Sequence, residues 1–232
     1  MLDVLNFAPT MMDELITTLK THQVKLVAVT KNHAPEEIME LYRRGLRIFG
    51  ENRVQEMLLK QAALPTDIEW HLIGHLQTNK VKLIAPFVKM IHAVDSLALL
   101  QEINNQARKA DRVVDCLLQF HIASEATKFG LEVDEALKML QSTVFQSLDN
   151  IRICGVMGMA TFTENQEQVR LEFRILKTIF DTLKNTFFED KPYFKERSMG
   201  MSGDWQLAVE EGSTMVRIGS LIFDTLTNEG PP

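Results

Sequence analysis

Strand-like runs and helical patterns alternate along almost the whole chain, and that alternation leaves few folds open. Apolar runs of strand length occur at 24–30, 46–50, 69–74, 90–95, 113–120, 151–160, 197–202 and 215–220. Helical signals separate most of them. Pro35 with the first-turn acids Glu36 and Glu37 opens one helix, which closes at Gly45. Ser96 caps the segment after Asp95. Thr163-Glu164-Asn165-Gln166 has capping-box spacing, and Val169, Phe173, Leu176, Phe180, Leu183 and Phe187 then recur every three or four residues as one apolar stripe. Leu15, Ile16 and Leu19 suggest an additional helix before the first strand.

Eight strands alternating with helices predict a (β/α)8 TIM barrel, in which right-handed crossovers keep the strands parallel and gather their C-terminal ends on one rim. The competitor, an open doubly wound sheet, would carry a glycine-rich phosphate turn after its first strand. Here Thr30-Lys31-Asn32-His33 contains no glycine. No Gly/Ser/Pro-rich linker or low-complexity block appears, so residues 1–232 are expected to form a single domain.

Composition narrows the functional classes. With 232 residues, 45% hydrophobic and 24% charged, the chain suits one globular barrel. A net charge of -6 without a basic stripe argues against nucleic acid. No apolar stretch approaches the roughly 20 residues that cross a bilayer, and Met1-Leu2-Asp3-Val4 lacks the regions of a signal peptide. A cytoplasmic protein without membrane contact is expected. Cys116 and Cys154 lie inside separate apolar runs, as small buried core residues would, and a disulfide framework is not expected.

Lys31 ends the first strand-like run, at the strand-helix junction where α/β proteins place their chemistry. A lysine held there in a partly apolar setting is desolvated when charged, so its amine can become a nucleophile towards an aldehyde. Lys31 is therefore a Schiff-base candidate, although an arbitrary lysine at such a place is more often simply solvated. Two further strand ends change abruptly from apolar to polar, in Phe49-Gly50-Glu51-Asn52-Arg53-Val54-Gln55-Glu56 and in Trp70-His71-Leu72-Ile73-Gly74-His75. Glu51 and Gln55 fit a central pocket and a solvated helix start equally well. The four-residue spacing of His71 and His75 invites a metal, but Gly74 intervenes and no HExxH glutamate is present. Near the C-terminus, Ser198-Met199-Gly200-Met201-Ser202-Gly203-Asp204 and Val216-Arg217-Ile218-Gly219-Ser220 supply glycines, hydroxyls and free backbone N-H groups at the seventh and eighth strand ends. Loops there frequently hold a phosphate dianion, though Gly200 and Gly219 could also be simple turns.

A nucleophilic lysine on strand one and a phosphate cradle on strands seven and eight are what pyridoxal 5′-phosphate requires. In ordered motifs covering nearly the whole chain (VAVTK, FGENRVQE, WHLIGHLQTNK, HAVDS, GVMGMA, SMGMSGD and VRIGS) the sequence resembles the pyridoxal phosphate homeostasis proteins, the YggS/PROSC family. The resemblance implies a barrel like the N-terminal domain of alanine racemase, with the cofactor on Lys31 as a Schiff base. It further implies Ser202, Gly219 and Ser220 as phosphate ligands, Arg217 as the partner of the pyridine nitrogen, and Asn52 and Met199 at the cofactor's border. It gives no role to His75, His92 or His121. The chain departs from the family pattern in the placement of Pro35, in Ser220 for threonine, in His121 for asparagine and in Asp224 for glycine.

The function so implied is a non-catalytic carrier or buffer of pyridoxal phosphate in vitamin B6 and amino-acid homeostasis, without efficient turnover. The alternative is a fold-type III enzyme with weak amino-acid racemase activity. Arg217 weighs against it, because a guanidinium offers only donors and leaves the facing pyridine nitrogen unprotonated, a poorer electron sink. Racemases of similar barrel share that arginine, but they add a second domain bearing a catalytic tyrosine. Tyr42 and Tyr193 are the only tyrosines here, and neither ends a strand with an evident base role. The expected partners are the cofactor and transient recipient apoenzymes, and the expected state is monomeric.

Overall fold

The structure is a computed structural model that describes residues 11–124 and 129–229, with side chains to residue 226. Met1-Leu2-Asp3-Val4 lie outside the described residues. Eight parallel strands close into a barrel in chain order: β1 Lys25–Val29, β2 Ile48–Glu51, β3 Glu69–Leu72, β4 Met90–Val94, β5 Val114–Gln119, β6 Ile151–Met157, β7 Glu196–Ser198 and β8 Met215–Ile218. The eight expected strands are all present, and β1 pairs with β8 to complete the ring.

Helices cover the outside. α1 Met11–Thr21 precedes β1, as expected of an added N-terminal helix, and α2 Pro35–Arg43, α3 Val54–Ala63, α4 Val81–Ile84, α5 Leu97–Lys109, α6 Val133–Gln141, α7 Thr143–Gln146, α8 Gln166–Phe187, α9 Trp205–Glu210 and α10 Ser220–Glu229 follow their strands. Among the described residues no helix is long and apolar enough to cross a membrane.

Local chemistry sets the helix ends. The Ser96 hydroxyl accepts from the Leu99 amide at 3.3 Å and caps α5. Gly45, at φ +94°, ends the α2 turn in the left-handed region that favours glycine. At α8 the expected box is displaced: the Thr163 hydroxyl accepts from the Asn165 amide at 3.2 Å, and Asn165 is the cap, accepting from Gln168 N at 3.3 Å. A hydroxyl that closes its own short turn cannot also reach the helix start, so the helix begins two residues later.

Strand alternation divides the interior into two layers. On β1, Lys25, Val27, Val29 and the following Lys31 lie along the lumen, while Ala28 packs into the larger core between barrel and helices. On β8, Met215 and Arg217 face inward and Val216 and Ile218 outward. Cys116 belongs to the outer layer and Cys154 to the lumen. Both thiols are free and buried, and burial pushes Cys154 up to about 12.

Candidate functional site

The C-terminal rim encloses a cavity of ≈ 660 Å³, and the period-2 alternation of the strands decides what enters it. Lys31 continues the inward column of β1, Asn52 that of β2, Ile73 that of β3 and Arg217 with Gly219 that of β8. The same cavity is lined by Ser202 and Ser220. Of the residues singled out from sequence, Lys31, Asn52, Ser202, Arg217, Gly219 and Ser220 are thus brought together. Met199 is not. It is fully buried in the outer core, and its amide donates to Met215 O at 3.1 Å in the pairing of β7 with β8.

Lys31 sits exposed at the rim, so the apolar enclosure on which its expected desolvation rested is absent around it. Its backbone is nevertheless held from behind. Thr30 and Glu51 face outward and are fully buried, and Lys60 from α3 reaches between them. The Lys60 ammonium donates to Thr30 O and to Glu51 Oε1, each at 2.6 Å, and the Thr30 hydroxyl donates to the same carboxylate. Burial raises the Glu51 carboxyl above the usual range, against the pull of Lys60 and Thr30, and its Oε2 has no partner among the described residues. On the other side of the lysine, Asn32 adopts φ +65° and its amide donates to Glu56 Oε2 at 3.1 Å. Of the two residues whose place was open, Glu51 is neither a pocket group nor a solvated one, whereas Gln55 is exposed.

Arg217 is 4% exposed, and the acceptors hydrogen-bonded to its guanidinium among the described residues are neutral. Nη1 donates to Ser198 O at 2.8 Å and to Ser198 Oγ at 2.6 Å, and Nη2 donates to Gly158 O at 3.0 Å. Burial pulls its pKa down to about 10, opposed by the charge of Asp204, so the group stays cationic near neutral pH. The Ser198 hydroxyl lies 3.0 Å from His92 Nδ1, and His92 Nε2 lies 3.0 Å from His71 Nδ1, extending a buried polar line down the lumen. Burial pushes His71 down to about 3 and His92 well below its ordinary value.

Besides Arg217, the cavity carries free donors. The hydroxyls of Ser202 and Ser220 and the amides of Ser202 and Gly203 have no partner among the described residues. The first turn of α10 adds amides that no helix carbonyl can satisfy. Such an array, next to a buried cation, favours an anion. Gly219 serves a different close approach, since a Cβ there would lie 2.9 Å from Val29 O. Val29, Ile73, Phe129, Met159 and Val169 give the remaining wall an apolar part, and His75, Gln119, Thr161, Thr163 and Asp204 a polar one. Buried Glu172 on α8 pins the loop after β6 by accepting from the Thr161 amide and hydroxyl, the latter at 2.7 Å.

His71 and His75 do not converge. The first points down the lumen, and the second sits at the rim, 3.3 Å from Asp95 and stacked on Phe129. Among the described residues no group of three or more His, Cys, Asp or Glu is placed to hold a metal. Sequence reading missed Lys60, Glu172 and Ser198. Alternation could have placed Ser198 inward, but nothing local marks Lys60 or Glu172, which a surface helix would ordinarily expose.

Comparison with known proteins agrees with this fold. The family described as alanine racemase, N-terminal domain, matches residues 12–226. The pyridoxal phosphate homeostasis protein of Aquifex aeolicus is 42% identical over 200 residues, 86% of each chain, and that of Homo sapiens is 36% identical over 87% of this chain and 76% of its own. The solved structure of PipY from Synechococcus elongatus with pyridoxal phosphate bound superposes with a TM-score of 0.79 at 34% identity, covering 90% of this chain and 98% of that one. Alanine racemase of Clostridium difficile, 16% identical with a TM-score of 0.70 over 93% of this chain and 62% of its own, shares the fold. With its closed barrel and its match over nearly the full length of such relatives, the chain belongs to the pyridoxal phosphate homeostasis family.

Proposed function

We propose that the rim cavity binds pyridoxal 5′-phosphate and that the protein carries or buffers this cofactor without turning over a substrate efficiently. The observation that carries the reading is the meeting, in one cavity, of an exposed primary amine, a buried guanidinium and an array of unpartnered donors. Those three fit the cofactor's aldehyde, ring nitrogen and phosphate. Ser202, Gly203, Gly219 and Ser220 would hold the phosphate, Arg217 would donate to the ring nitrogen, Asn52 would flank the ring, and Lys31 would form the Schiff base. When bound, the cofactor supplies a reactive carbonyl and an electron-withdrawing ring.

What this chain's residues do there favours holding over chemistry. Arg217 can donate but not accept, so the ring nitrogen facing it stays unprotonated. A racemase also needs an acid-base group on the far face of its substrate, and neither tyrosine reaches this rim. Tyr42 donates to Asp67, and Tyr193 lines the opposite mouth of the barrel. We read residues 1–232 as one domain acting as a monomer in the cytoplasm and releasing its cofactor to apoenzymes.

Borohydride reduction of the loaded protein followed by peptide mass mapping should place the pyridoxyl group on Lys31. A stable adduct on Lys80 instead refutes the assignment. Racemisation and transamination assays across common amino acids should stay near the background of the free cofactor, and a kcat near the usual enzyme median of about 10 s⁻¹ would establish the racemase-like alternative.

A further inference from the structure

The barrel has a second opening, at the N-terminal ends of its strands, which the cofactor reading leaves unused. A cavity of ≈ 470 Å³ there has His71 in its lining, apolar walls from Ile48, Met90 and Met215, and charged groups around it. Some of these charges are paired. Lys25 bonds Glu196, Arg152 binds Asp115 at 2.6 Å, and Lys89 stands 3.8 Å from the same carboxylate. Lys195 and Glu69 line the mouth without a partner among the described residues. The lining cations Lys25, Lys89, Arg152 and Lys195 outnumber the acids Glu69, Asp115 and Glu196 by four to three.

His71 is only 2% exposed, yet Nε2 has no protein partner among the described residues, its Nδ1 being engaged by His92. The polarity of that free nitrogen follows from the other end of the line. Arg217 can only donate, so Ser198 Oγ accepts from it, and among the described residues the acceptor left for the serine proton is His92 Nδ1. His92 therefore carries its proton on Nε2 and donates to His71 Nδ1. His71 in turn must carry its own proton on Nε2, presenting a neutral N-H to the cavity. That donor faces the cavity without a protein acceptor among the described residues, and the ligand chemistry that satisfies it is an oxygen acceptor.

We propose that this N-terminal cavity is a binding site for a small monocarboxylate with an apolar body, received by the Nε2-H of His71 at its floor and by the ammonium groups of Lys89 and Lys195 at its mouth. The apolar part lies against Ile48, Met90 and Met215. A single negative charge matches the one-charge excess of cations, while the unpaired Glu69 opposes a dianion.

Benzoate serves as the probe, on protein labelled with ¹⁵N at histidine. The His71 tautomer should be Nε2-H, and its signal should shift saturably with benzoate but not with benzyl alcohol. Lys89→Gln combined with Lys195→Gln, both substitutions at the mouth and remote from the cofactor cavity, should weaken benzoate by about tenfold or more, the loss expected from one charge-assisted contact. Cofactor retention by that variant should be unchanged, which separates this site from the rim. A proton on Nδ1 of His71, no saturable shift, or an equal response to benzyl alcohol overturns the proposal. Tighter binding of phenyl phosphate than of benzoate overturns the choice of a carboxylate.

Discussion

Lowering the pH from about 7 to about 5 should cost the folded barrel about 2 kcal/mol through His71, with His92 adding a loss of the same sign. Both rings are sealed in the lumen, 2% and 0% exposed. Burial brings His71 to about 3, helped by the charges of Lys25 and Lys89, and burial with the neighbouring His71 and Arg217 holds His92 well below its ordinary range. The sign follows from proton uptake. Unfolded, each imidazole takes a proton near pH 6.5, whereas folded it stays neutral, so stability falls as the pH drops through 6.5 and keeps falling until His71 itself protonates near 3. His71 then contributes a slope of about 1.4 kcal/mol per pH unit, or about 2 kcal/mol on reaching pH 5. Glu51 works in the opposite direction, since its raised carboxyl pKa means that the folded state takes up that proton first. A variant must therefore isolate the histidine term. Urea unfolding followed through the buried Trp70 and Trp205 should show His71→Gln losing about 2 kcal/mol of this histidine-driven pH dependence, with the denaturant slope unchanged. An undiminished pH dependence in that variant would refute the assignment of neutral, buried imidazoles.

Lys60→Met strands the buried Glu51 carboxylate and deprives Thr30 O of its donor, so it should destabilise the protein by about 3 kcal/mol or more in the same urea assay. Adding Glu51→Gln to it should recover part of that loss, and failure to do so would mean the pair is not coupled. Ser202→Ala should weaken pyridoxal phosphate binding by about tenfold, as read by absorbance titration. Gly219→Val should weaken it more, because its Cβ would press on Val29 O, two residues from Lys31. Pyridoxal without its phosphate should bind far less well, and equal affinities would show that the glycine-bearing segments are only turns.

The barrel was legible because each strand is short, apolar and followed by an explicit helix start, such as Ser96 or Pro35. Strand ends were less so. The run expected at 151–160 stops at Met157, paired with Ser198 where β7 ends, and beyond a last bond from Gly158 N to Ser198 O Met159 and Ala160 line the rim. The rim residues could be found because motif and alternation agree on Lys31, Asn52 and Arg217. Met199 illustrates the limit: its motif placed it near the site, but alternation along β7 turns its side chain to the outer core. The lumen line was invisible for a different reason. Its members come from β3, β4, β7 and β8, up to 106 residues apart for one hydrogen bond, and they meet only through the closure of the ring and the register irregularity between Ile91 and Val94. No local pattern encodes such a meeting.

The inward column of β1 has a bearing on how the gene for this chain can change. Lys25 and Lys31 lie six positions apart, about 20 Å of extended chain, and so stand at opposite mouths of one tube on the same side of one strand. Deleting a single codon between them would reverse the facing of one lysine relative to the other. Whichever way the strand then settled, one mouth would lose its amine to the helix layer. Point substitutions within 26–30 leave both lysines in place, but insertions or deletions there must come in pairs of residues to keep both mouths furnished, and lineages of this fold should show that parity.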